Sequence, residues 1–145
     1  MSLDDVVNIA KLEHARQWRL SGNASEGTLS AISITSAWQA AVLGLDSETF
    51  VKEFQVAPHL NERIDLVDVA DGVAYELKVS PNNTAFEFYK DIFKVVLARD
   101  NMLPHLNKFV FITPTSGASK IIRGMGKAVV EHSRSFDLDI QIYAI

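Results

Sequence analysis

Apolar residues recur along this chain with two alternating periods, and the changes between them mark its elements. Ser2, with Asp4 and Asp5 in the first turn, opens a helical stretch to about Leu20, and Gly22 ends it. From about Glu26 to Leu43, the residues Ala31, Ile34, Trp38 and Ala41 fall on one stripe, which predicts a second helix stopped by Gly44. Residues 49–56 read as a strand, closed by Pro58. Two strand-like runs between Arg63 and Ser80 then flank Asp71-Gly72. Asn82 and Asn83 shape a turn, and Thr84 with Glu87 forms a capping box for a helix to about Arg99. Phe86, Tyr89, Phe93 and Val96 are expected to face inward from it. The apolar run from Lys108 to Thr113, stopped by Pro114, reads as a buried strand. A long helix is expected over 117–135, with Gly124 and Gly126 marking close packing, and Leu138 to Ala144 alternates as a last strand. The order α-α-β-β-β-α-β-α-β predicts an α/β fold, a three-layer α/β/α sandwich around a mixed sheet.

The two runs at Asp71-Gly72 carry a geometric consequence. Asp-Gly favours a two-residue hairpin turn, because both central residues of that turn need φ > 0. Pairing Ala70 with Val73 sets Val67 opposite Glu76 and Asp65 opposite Lys78. Side chains alternate across a strand, so Asp65, Val67 and Val69 share a face with Ala74, Glu76 and Lys78. The other face carries Ile64, Leu66, Tyr75, Leu77 and Val79, with Asp68 as its only charge, and reads as core. The first face is apolar beside the turn and charged at the far end, as in a sheet covered on both sides whose end opens into a cleft.

Composition narrows the setting. The 145 residues, 48% of them apolar and 22% charged, suit one soluble globular domain over 1–145. No stretch reaches the length of a membrane span, and the opening Met-Ser-Leu-Asp-Asp has neither a basic nor an apolar leader region. The absence of cysteine excludes disulfides and thiolate metal sites and fits a cytoplasmic location. The net charge of −4 argues against strong nonspecific binding to nucleic acid. His14, His59, His105 and His132 show no metal-ligand spacing, and the chain has neither a phosphate-binding glycine loop nor a nucleophile elbow.

The charged end of the hairpin therefore carries the chemistry. Magnesium prefers a few carboxylate oxygens completed by water and substrate phosphate. Asp65 and Glu76 can supply two such oxygens, and Lys78 on the same face could orient water or stabilise developing negative charge. The same three groups could instead form a cross-strand ion pair worth only about 0.2–1 kcal/mol. Asp65 followed by Glu76-Leu77-Lys78 resembles the motif of the PD-(D/E)xK nuclease superfamily, the restriction-endonuclease-like fold. The helix, three-strand meander, helix and strand expected from about 26 to 113 match its core. Ile64 stands where the signature has proline.

The resemblance implies a metal-dependent nuclease hydrolysing phosphodiester bonds, in DNA rather than RNA, with Mg²⁺ as cofactor and Mn²⁺ as a substitute. It divides the domain into a helical extension (1–22), a nuclease core (26–113) and a C-terminal helix and strand (114–145). Asp65, Glu76 and the Leu77 carbonyl would hold the metal and Lys78 would assist. Glu26, at the matching place on the first core helix, would join the catalytic set. Glu53 and Glu48 belong to a strand and the loop before it and are set aside. Lys90, on the helix after the motif, is a nucleic-acid contact by the resemblance, against a reading of Lys90, Asp91 and Lys94 as a solvated face. Lys120, Arg123, Lys127 and Arg134 recur at helical spacing, and the first three join Lys90 as phosphate contacts. Cutting two strands with one small site suggests a homodimer, and a protein partner could supply recognition. The alternative reading is a nuclease-fold accessory or regulatory subunit that acts through a protein partner without cutting.

Overall fold

The computed structural model describes residues 1–21, 27–80 and 82–145, with the course of the backbone only at 18–21 and 27–30. Helix α1 (Leu3–Ser21) opens on a reciprocal cap. The Ser2 hydroxyl accepts the Asp5 N–H at 3.2 Å, and the Asp5 carboxylate accepts from the Ser2 N–H at 2.9 Å. Helix α2 (Gly27–Leu45) follows, then strands β1 (Phe50–Gln55), β2 (Arg63–Asp68) and β3 (Val73–Leu77), helix α3 (Thr84–Asn101) and strand β4 (Lys108–Thr113). Helices α4 (Thr115–Arg123) and α5 (Gly126–Ser133), a 3-10 turn at Arg134–Phe136 and strand β5 (Asp139–Ala144) complete the chain. The strands form one mixed sheet in chain order, antiparallel from β1 to β3 and parallel from β3 to β5.

Helices cover both faces of the sheet. Val6, Ala10, Ile34, Trp38 and Val42 of α1 and α2 pack on Phe50, Leu66, Tyr75, Leu77, Val110 and Ile112. The Trp38 indole N–H donates to the Val6 carbonyl at 3.1 Å, which ties the two helices together. On the other face, Phe88, Val95, Ala98 and Ile121 pack on Val67, Ala74, Phe109, Phe111 and Ile140. Alternate residues of β4 thus serve both layers, which is why its sequence is a continuous apolar run. Among the described residues no helix is long and apolar enough to cross a membrane.

Five sequence expectations need correction. The hairpin turn spans 69–72, and Leu66 pairs with Tyr75, Val67 with Ala74 and Asp68 with Val73, two residues away from the expected register. The cause is Asp68, whose buried carboxylate accepts the N–H groups of Ala70 at 3.0 Å and Asp71 at 2.9 Å and folds the turn early. A shift of two leaves every side chain on its expected face. Ile64 is the exception. It packs on the α3 side, because the strands turn where Glu53, at φ 49°, stands opposite Asp65 between the Lys52–Leu66 and Phe54–Ile64 pairs.

The helix expected over 117–135 is two helices. A Cβ on Gly126 would lie 2.3 Å from Ile121 Cγ2 and 2.5 Å from its carbonyl oxygen, so the glycine lets the two segments fold against each other. In α3 the buried stripe is Thr84, Phe88, Asp91, Val95 and Ala98, while Phe86 and Phe93 are 67% and 71% exposed. Phe88 decides this, since its ring packs edge-on against Phe111 at 5.2 Å and alongside Phe109 at 6.3 Å. The Thr84–Glu87 capping box does not form; Asn83, at φ 56°, is the N-cap and its carbonyl accepts the Glu87 N–H at 3.0 Å.

Gly72 closes the hairpin turn at φ 65°, and a Cβ there would lie 2.2 Å from the His105 carbonyl oxygen. Gly72→Ala is expected to lower unfolding stability by about 1–3 kcal/mol for the left-handed backbone, with the clash adding to it. Urea unfolding checks this, and an unchanged midpoint would contradict it.

Candidate functional site

Beyond Leu66–Tyr75 strands β2 and β3 separate, and the side chain of Asp65 fills the gap in the ladder. Its Oδ2 accepts the Leu77 N–H at 2.9 Å, while the next amide, Lys78, continues the sheet by donating to the Ile112 carbonyl at 2.9 Å. The observed register, carried one step further, sets Asp65 opposite Glu76. In an extended strand the N–H and C=O of one residue point the same way, so the Leu77 carbonyl faces the Asp65 side as well. The Gln39 amide bridges the opening from α2, donating to the Asp65 carbonyl at 2.7 Å and to Glu53 Oε1 at 2.9 Å.

A cavity of about 370 Å³ occupies this split, walled by α2 and α3 and floored by β1, β2 and β3. Its acids are Glu53, Asp65, Glu76, Glu87 and Asp91, and its cations are Lys78 and Lys94. Thr35, Ser36 and Ser80 add hydroxyls.

Charge inside the cleft is organised by Lys94. Its ammonium forms ion pairs with Glu76 Oε1 and, at 2.8 Å, with Asp91 Oδ1, and it donates to the Arg63 carbonyl at 2.7 Å. The ammonium is thus held among two carboxylates and a carbonyl. The side chains of Lys94, Glu76 and Asp91 are 11%, 7% and 6% exposed. Burial pushes the Glu76 carboxyl well above the usual range, and the Asp65 and Asp91 charges add to the rise. Asp65 is raised by burial, against the Leu77 hydrogen bond. Asp91 is pushed up to about 6 by burial, although Lys94 opposes the shift. Lys94 is itself raised, since Glu76 and Asp91 together outweigh its own desolvation. Lys78 lines the same cavity, half-buried, and pairs with no described acid.

Four of the residues expected from the sequence, Asp65, Glu76, Leu77 and Lys78, line this one cavity. Glu26 lies outside the described residues. Lys90 is set outside the cleft, with its ammonium 3.5 Å from Glu62. Lys120 and Arg123 are exposed on α4 and Lys127 on α5, and none of the three lines the cleft. The reading of Lys90, Asp91 and Lys94 as one solvated face holds for Lys90 alone. Sequence reasoning missed Asp91, Lys94, Gln39 and the turning of Glu53 into the cleft. Asp91 could have been found, because it falls at helical spacing with Thr84, Phe88, Val95 and Ala98.

The donor set suits a hard divalent ion, which needs only one or two carboxylates beside water and phosphate. Asp65 and Glu76 would supply them, with the Leu77 carbonyl on the same side. Among the described residues no three His, Asp or Glu side chains stand arranged as a preformed metal centre. Comparison of the chain with protein-family models, with curated proteins and with solved structures gives no match.

Proposed function

We propose that this chain is a metal-dependent nuclease of restriction-endonuclease-like fold that hydrolyses phosphodiester bonds in DNA. The observation that carries the reading is the meeting of Asp65, Glu76 and Lys78 in one cavity at the split between β2 and β3. Asp65 and Glu76 would hold Mg²⁺ or Mn²⁺, with the Leu77 carbonyl as a third oxygen. Such an ion, when bound, polarises the phosphate and makes its water more acidic. The chain's own contribution is positional. Asp65 is fixed by the Leu77 N–H, Glu76 by Lys94, and the Asp65 backbone by Gln39. With Lys94 held by Glu76 and Asp91, Lys78 is the cation available to orient water or to meet developing charge on the phosphate. Five acids against two lysines make the cleft repel a polyanion unless a divalent ion offsets them, so substrate binding is itself metal-dependent.

The test is incubation of the purified protein with single-stranded, duplex and branched DNA and Mg²⁺ or Mn²⁺. Absence of any cutting would favour the accessory-subunit reading, in which the same fold acts through a protein partner. Isothermal titration supplies a second check. Asp65 and Glu76 both hold protons above the ordinary carboxylate range, and a metal needs them ionised. Metal affinity is therefore expected to rise as the pH climbs through and above the ordinary carboxylate range, with protons released on binding. No heat at millimolar metal across that range would overturn the metal site.

A further inference from the structure

Helix α3 carries two apolar stripes, and only one is used by the core. The other consists of Phe86, Phe93 and Leu97, which are 67%, 71% and 39% exposed. At 100° per residue these three fall within an arc of about 40° on the face opposite Phe88 and Val95. Phe86 and Phe93 alone bare on the order of 200–350 Å² of ring surface. Apolar surface gathered on one helix face and bordered by charge, at a few hundred Å², has the size and setting of a functional patch.

We infer that this face of α3 joins two copies of the chain, packed antiparallel about a two-fold axis level with Val95. The position of the charges selects a second copy. Lys90 and Asp100, with side chains 44% and 64% exposed, border the stripe five residues to either side of Val95. A two-fold axis at that level sets Phe93 beside Leu97 of the partner subunit, and it sets Lys90 level with Asp100 of the partner subunit at both ends. A parallel pairing would bring like charges together instead. A standard interface buries about 800 Å² on each side, so the stripe forms its apolar centre and Lys90 and Asp100 part of its polar rim. The inner face of the same helix holds Asp91 and Lys94, so self-association steadies the helix that walls the cleft. The inference does not depend on the nuclease reading.

Sedimentation velocity of the full chain from micromolar to millimolar concentration tests it. The expected result is a concentration-dependent shift from monomer to dimer. Phe93→Glu, at an exposed position that leaves the melting temperature unchanged, is expected to weaken the dimer at least about 30-fold, as for a central interface residue. Lys90→Asp is expected to weaken it too, and adding Asp100→Lys in the same chain to restore it. A wild type that stays monomeric throughout, or a dimer indifferent to Phe93→Glu, would overturn the inference. A double variant no better than Lys90→Asp would overturn the antiparallel register.

Discussion

Asp65→Ala and Lys78→Ala are each expected to abolish metal-dependent DNA cleavage while leaving the fold intact. The two losses should differ in kind. Asp65 is one of the two carboxylates proposed to hold the ion, so Asp65→Ala should remove metal binding in a calorimeter together with activity. It also removes the acceptor for the Leu77 N–H, and a modest fall in melting temperature should accompany it. Lys78 makes no ion pair with a described residue, so its removal leaves Asp65 and Glu76 in place. Lys78→Ala should bind metal as the wild type does and lose cleavage by a factor of about 10²–10⁴, the range for a positioned charge or proton-transfer group. Metal-dependent cutting that survives both substitutions would point to a contaminating nuclease.

The largest effect on stability is expected at Lys94. Lys94→Met leaves Glu76 and Asp91 buried without their counter-charge, and breaking a buried pair by removing one partner costs about 3–5 kcal/mol. The deficit should depend on pH with a definite sign. Asp91 keeps its proton to about 6 in the folded protein, against an ordinary value of 3.8. Between these values the folded chain binds more protons than the unfolded one, so this group's contribution to stability falls as pH rises through the window. Lys94 works at the other end: its raised value adds stability that is complete below 10.5 and lost as pH climbs through the folded value. Without Lys94 the two acids protonate more readily. The Lys94→Met deficit should accordingly be largest near pH 8 and shrink toward pH 4. Thermal unfolding at both pH values measures it, and an equal deficit at each would refute the assignment of Lys94 as counter-charge to Glu76 and Asp91.

Much of the site was legible because of a symmetry in strands. The expected turn was two residues too short, yet Asp65, Glu76 and Lys78 still met in one cleft, since side chains repeat every second residue and an even slip preserves faces. Glu53 was not legible. Its entry into the cleft depends on a left-handed backbone inside a strand, at a residue that is not glycine. Asp91 and Lys94 were hidden differently. Helix α3 offers two apolar stripes of similar strength, and the one with more aromatic residues, Phe86, Tyr89 and Phe93, is the one left mainly outside. Gly124 and Gly126 were read as close packing, which Gly126 does provide, but with a break between two helices where one continuous helix was expected.

The sequence by itself determined the order of the strands, the helices mixed among them and the gathering of Asp65, Glu76 and Lys78 at one end of the hairpin. All three follow from local periods of 2 and 3.6 residues and from turn chemistry near in the chain. The tertiary structure alone decided which side of α3 turns inward, because that depends on the fit of Phe88 against Phe109 and Phe111 from a strand 20 residues away. With that choice it placed Lys94 between Glu76 and Asp91 and left Phe86, Phe93 and Leu97 facing out.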